Sequence, residues 1–145
     1  MLKPLLISVF VFSLMSINNL SAADIANLKG KWTAKYLTVS PARDVDPGRR
    51  FNNVEWELQI EKQIENVFWG TSKWRVTGRP EWNEDQVTGS VSLVDPSMVK
   101  ILEMSREPEI RIKGVIDGTL KNDKLYVSFR GMQTGTSFST ILEKE

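Results

Sequence analysis

The chain contains no cysteine and no histidine. Without cysteine there is no disulfide framework and no thiol for lipid acylation, so the fold has to be held by its core alone. Without histidine, the commonest metal ligand and the usual general base near neutral pH are both missing. No metal-ligand cluster and no Gly-rich phosphate loop takes their place, and no metal or cofactor is implied. An excess of charge of one sign is lacking too: 19 Lys plus Arg face 18 Asp plus Glu. That balance is too even to steer the protein toward nucleic acid or an anionic membrane.

What is present begins with an export leader. Lys3 precedes the apolar stretch Leu5 to Ile17, polar Asn18 and Asn19 follow, and Ser21, Ala22 and Ala23 offer small residues for cleavage. At about 13 residues the stretch is short of the ~20 that cross a bilayer as a helix, and it suits a signal peptide. The expected organisation is a signal peptide over 1–23 and one domain over 24–145. A domain of about 122 residues holds a single core. Loss of Lys3 leaves 18 basic against 18 acidic residues. The one Asn-x-Ser sequon, at Asn19, falls in the leader. Eukaryotic secreted domains of this size often carry disulfides, so the expected location is periplasmic or secreted from a bacterium, with no stable membrane anchor.

From Lys31 onward apolar residues recur at every second position, the period of strands with one buried face. In the best stretch, Ile110, Ile112, Gly114, Ile116, Gly118 and Leu120 share one face against Glu109, Arg111, Lys113, Asp117 and Thr119. A two-residue turn at Asn122-Asp123 sets Leu120 opposite Leu125, Gly118 opposite Val127 and Ile116 opposite Phe129. A second turn around Gln133-Thr134 sets Phe129 opposite Phe138, Val127 opposite Thr140 and Leu125 opposite Leu142. Upstream, Val54, Trp56, Leu58 and Ile60 alternate with Glu55, Glu57, Gln59 and Glu61, and the pattern resumes from Phe68 to Gly78 after a bend at Glu65-Asn66. Further strands are expected at Trp32 to Val39, Gln86 to Val94 and Met98 to Met104, which makes about eight. Such a chain is all-β, and its strands dispose of their edges most simply by closing into a single antiparallel up-and-down barrel. A two-sheet sandwich is the alternative. Asp24 to Leu28 is expected to add a short helical turn that plugs one end.

The longest connection, Ser40 to Asn53, is rich in Pro, Gly and Arg, and loops of that length are often lids or binding loops. Just ahead of the first strand, Leu28-Lys29-Gly30-Lys31-Trp32 resembles the Gly-x-Trp signature that opens lipocalins, and it is similar to the opening of the avidins. Both are calycins, eight-stranded antiparallel barrels. The resemblance implies that Trp32 plugs the closed end and that the Ser40 to Asn53 loop overhangs the open one. It stops there. No second lipocalin motif follows, and Arg130 sits in the penultimate strand, not at the end of the last, where the lipocalin arginine packs on the tryptophan. The last tryptophan is Trp82, so the late tryptophans of an avidin biotin site are missing and biotin binding is not implied.

Tyr36, Trp56, Trp74, Phe138 and Thr140 fall on or beside the inferred inner face. They either wall a small-molecule pocket, which aromatic rings with a few polar groups usually do, or fill a narrow barrel. Gly70, Gly78, Gly89, Gly114 and Gly118 on or near inward positions either leave room for a ligand or mark bends and bulges. In the long loop, Arg43, Arg49 and Arg50 could grip a carboxylate or phosphate, with Asp44 and Asp46 beside them to offset it. Trp69, Arg75 and Trp82 form a candidate outer surface for a protein or glycan. Glu55, Glu57 and Glu61 lie on the wet face, where carboxylates stay ionised and ordinary, so no catalytic residue is assigned.

The leading expectation is a non-enzymatic exported barrel that binds a small, mostly apolar molecule at its open end. The alternative is an envelope interaction module that binds a protein or glycan through Trp69, Arg75 and Trp82, as a monomer or homodimer. A third reading, an isomerase or cyclase on the barrel, lacks His and Cys and calls for a buried acidic residue facing the cavity.

Overall fold

The computed structural model describes residues 24–39, 52–106, 109–133 and 135–145. Eight strands follow one another: β1 (Gly30–Val39), β2 (Asn52–Ile64), β3 (Val67–Val76), β4 (Asn83–Val91), β5 (Met98–Met104), β6 (Ile112–Lys121), β7 (Lys124–Gly131) and β8 (Ser137–Lys144). Each pairs antiparallel with the next and β8 returns to β1, so the sheet closes and the sandwich alternative falls away. The seam is short. Trp32 lies opposite Lys144 and Thr33 opposite Glu143, and Glu145 N donates to Lys31 O at 2.9 Å.

Turn chemistry sets the registers. Asn122 and Asp123 have φ of 52° and 58°, the two positive values of a type I′ turn, which Asn and Asp tolerate better than most residues. The turn places Leu120 opposite Leu125, Gly118 opposite Val127 and Ile116 opposite Phe129, as the alternation predicts. Phe129–Phe138, Val127–Thr140 and Leu125–Leu142 follow across β7 and β8. Lys121 and Lys124 flank the turn, and Lys124 finds a counter-charge in Glu143 at 2.5 Å.

Three bulges break the alternation, and each moves the residues beyond it to the other face. One lies on β1 between Ala34 and Leu37, and one on β2 between Ile60 and Lys62. The third is on β6, where Glu103 pairs with Gly114 but Met104 pairs with Ile112, leaving Lys113 as the extra residue. This corrects the expected inner face of β6: Gly114, Ile116 and Gly118 are buried, whereas Ile112 is 47% exposed and Ile110, ahead of the strand, is exposed too. Gly78 is likewise not inward; it sits in the exposed turn after β3 with φ of 86°.

The closed end is filled. Leu28, Trp32, Leu58, Ile60, Phe68, Val91, Val99, Leu125 and Leu142 are buried there and along the middle of the barrel. The segment 24–29 plugs this end without a helix, which corrects the expected helical turn. Leu28 and the Trp32 ring are held by the segment's own backbone, Trp32 Nε1 donating to Leu28 O at 2.8 Å. Gln63, which the bulge in β2 leaves beyond Lys62, accepts from Leu28 N at 2.8 Å and donates to Ala26 O at 2.9 Å. Two inward glycines, Gly89 toward this end and Gly114 toward the other, are close approaches, not voids. A Cβ on Gly89 would stand 2.4 Å from Phe68 Cζ, and one on Gly114 would stand 2.3 Å from Phe129 Cε2.

Candidate functional site

The open end is where β1, β3, β5 and β7 finish and β2, β4, β6 and β8 begin. Its inner wall has two unlike halves. One half is aromatic: Trp56 meets Phe138 edge-on with centroids 5.3 Å apart, and Phe138 stacks on Phe129 at 4.8 Å. These are the separations and tilts at which ring quadrupoles attract. Trp56 is almost wholly buried and its Nε1 donates to Ser72 Oγ at 2.8 Å, so the indole N–H is satisfied inside the barrel. Trp74 lies opposite Trp56 on β3 and packs against the core while remaining partly exposed.

The other half is ionisable. Asp85 on β4, opposite Ser72, is 2% exposed, and Glu103 on β5 is 5% exposed. Both positions follow from strand alternation: Asp85 shares a face with Val87, and Glu103 with Val99 and Ile101. The third member, Lys113, arrives by way of the bulge in β6. Its Nζ donates to Asp85 Oδ1 at 2.6 Å, while its side chain stays 45% exposed.

One ammonium thus stands beside two buried carboxyls and bonds one of them, Asp85. Asp85 Oδ2 is buried and receives no hydrogen bond from the fixed donors around it. Burial first, then the hydrogen bond and charge of Asp85, push the Glu103 carboxyl up from 4.5 to about 8, with Lys113 pulling the other way. At neutral pH Glu103 therefore keeps its proton and shares it with Asp85. A carboxyl that stays protonated can donate a hydrogen bond, and a carboxyl beside it can accept one or face a cation.

Trp56, Trp74 and Phe138 come together at the open end. Thr140 is half-buried on β8 opposite Val127, one inward position below Phe138. Tyr36 is on β1, but its side chain lies outside the described residues, as do Arg43, Arg49 and Arg50 in their entirety. The outer candidates divide into two places. Trp82 stacks under Arg75 at 4.5 Å, and Arg75 is engaged by Glu55 at 2.5 Å. Trp69, 41% exposed beneath Lys62 Nζ at 5.9 Å, stands six residues away along β3, roughly 20 Å at strand rise.

Asp85, Glu103 and Lys113 were not among those candidates. Counting alternate residues back from Val87 and forward from Val99 finds the two acids, whereas no sequence pattern announces the bulge that turns Lys113 inward. Among the described residues no group of His, Cys, Asp or Glu is arranged to hold a metal ion. No protein-family model, no curated protein and no solved structure matches the chain.

Proposed function

We propose that the domain from Asp24 onward is an exported, calycin-like barrel that binds a small molecule at its open end, between the Trp56, Trp74 and Phe138 rings and the Asp85, Glu103 and Lys113 side chains. The observation that carries this reading is where the polarity sits. The closed end and middle are packed with apolar side chains, and the two buried carboxyls lie together at the end opposite the plug. Replacing a buried ion pair by apolar residues is often neutral or stabilising, so a purely structural core has no need of Asp85 and Glu103. An aromatic wall with a few convergent polar groups is the usual make-up of a ligand site.

The calycin-like reading draws on the plugged end. Trp32 is buried there, and Lys144 near the end of β8 places Nζ 5.4 Å from its ring, so a cation stands over the tryptophan as an arginine does in the lipocalins it resembles. The predominantly apolar ligand expected from sequence becomes one with a polar end. The test is native mass spectrometry of protein isolated from its source, paired with a tryptophan fluorescence titration by the extracted small molecules. A bound mass that returns on titration and perturbs Trp56 or Trp74 supports the function; a bare polypeptide mass and an unresponsive spectrum refute it.

A second reading, an interaction module on the outer wall, draws on a groove of about 590 Å³ that crosses β5 to β8 between Met98, Tyr126 and Ile141. It does not draw on one tryptophan patch, because Trp69 and Trp82 stand apart.

A further inference from the structure

We propose that the group recognised at the open end is a cation, a protonated amine or amidine on a flat apolar body, seated against Glu103 and the Asp85 oxygen that Lys113 does not engage; this rests on the small-molecule function proposed above. Charge balance in a buried place favours a cation there. Asp85 is matched by Lys113, and Glu103 faces no second cation among the described residues. From β4 it is faced by Asp85 and from β6 by Lys113. The inner walls of β2, β3, β7 and β8 contribute Trp56, Ser72, Phe129 and Phe138, none of which is charged. Glu84 and Arg106 are close in sequence but pair with each other, at 2.5 Å, away from the buried acids.

A buried carboxyl either finds a cation or keeps a proton. Glu103 keeps a proton in the isolated protein, which makes its site neutral and leaves it able to exchange that proton for a ligand ammonium. The exchange balances: the ligand brings one positive charge, Glu103 loses one proton to solvent, and Asp85 and Lys113 remain paired. An anionic ligand meets the opposite situation, since Asp85 and Glu103 flank the Lys113 ammonium. The aromatic half suits the same class of ligand. Trp74 on that side is only partly buried, and tryptophan rings attract cations.

Three probes of nearly one shape separate the possibilities: phenethylamine, propylbenzene and hydrocinnamate, carrying respectively a positive, a neutral and a negative end. Binding to the wild-type domain is followed by tryptophan fluorescence, and by calorimetry in two buffers of different ionisation enthalpy. Phenethylamine is expected to bind at least about tenfold more tightly than either other probe. It should release close to one proton near neutral pH, and its affinity should rise by up to about tenfold per pH unit between roughly pH 6 and pH 8. Glu103→Gln is expected to abolish the proton release and flatten the pH dependence. Should that variant fail to fold, the wild-type proton count still decides the matter. Equal binding of propylbenzene and phenethylamine, tighter binding of hydrocinnamate, or amine binding without proton release overturns cation recognition and leaves the pocket standing. No response to any of the three at millimolar concentration overturns the pocket and the cation together.

Discussion

Lys113 on β6 reaches over β5 to donate to Asp85 on β4 at 2.6 Å, so the ion pair joins two strands that are not neighbours and brackets Glu103 between them. The bridge exists because β6 carries one residue more than β5 at that level. A regular strand would send Lys113 outward and leave Asp85 buried with no cation. The bulge therefore couples a backbone irregularity to the electrostatics of the open end, and removing either partner tests the coupling.

Lys113→Met keeps the aliphatic length and deletes the charge. It is expected to destabilise the fold by about 2 kcal/mol, because a carboxylate that stays buried loses its ionic partner. Half-exposure of the lysine keeps the figure below that of a fully buried pair. Asp85→Asn combined with Lys113→Met should cost clearly less than the two single losses added together. Urea denaturation midpoints for the four proteins measure this, and strictly additive losses would show that the pair has no energetic meaning.

Glu103 gives the fold a pH dependence of unusual sign for a carboxyl. Its folded value, about 8, lies above its ordinary 4.5. Below that ordinary value both folded and unfolded chains hold the proton, and between the two values only the folded chain does. The stability this group contributes therefore falls as pH rises from about 4.5 to about 8, by up to about 1.4 kcal/mol per unit, and levels off above. Glu103→Gln lacks this slope, so the stability difference between variant and wild type should grow in the variant's favour across that window. Parallel stability curves would mean that Glu103 ionises in the folded protein as it does in water.

Much of the architecture is legible in the residues, and the reasons are local. Leu120 and Leu125 can meet only if Asn122 and Asp123 make a two-residue turn, and both residue types accept the positive φ it requires. Period-two alternation then carries each register along its hairpin. What alternation cannot show is where it is interrupted. Ile110 and Ile112 have the right spacing for the inner face and still end outside, because the bulge at Lys113 shifts the phase between them and Gly114. Asp85 and Glu103 were readable in principle, each lying two residues from a buried valine or isoleucine. Their polarity suggests a wet face, and only the closed barrel makes that inference fail.

Inward glycines report two different situations, and a single methyl distinguishes them. At Gly70 a Cβ would fall 1.8 Å from the carbonyl oxygen of Gln59, a backbone atom next to the bulge of β2 that cannot step aside. Gly70→Ala should cost about 3 kcal/mol or more, through displacement of β2 from β3. At Gly118 the nearest atom is Leu125 Cδ1 at 3.1 Å, the free end of a flexible side chain. Gly118→Ala should shift stability by less than about 1 kcal/mol. Thermal unfolding of the two variants compares them directly, and equal costs would contradict the close approach at Gly70.

The plug and the open end should behave as separate devices. Gln63 holds the segment 24–29 through two hydrogen bonds, one from Leu28 N and one to Ala26 O, and Leu28 is buried beneath it. Gln63→Ala removes both and leaves the Leu28 N–H without its partner, an expected loss of about 2 kcal/mol. Hydrogen exchange should quicken at Leu28 and at neighbouring amides of the plug. Because Gln63 lies at the opposite end of the barrel from Glu103, the pH slope attributed to Glu103 should survive the substitution unchanged. If the slope disappears along with the plug, the two ends are coupled through the packed middle, and the open end owes its electrostatics to the whole barrel, not to the three side chains that face one another there.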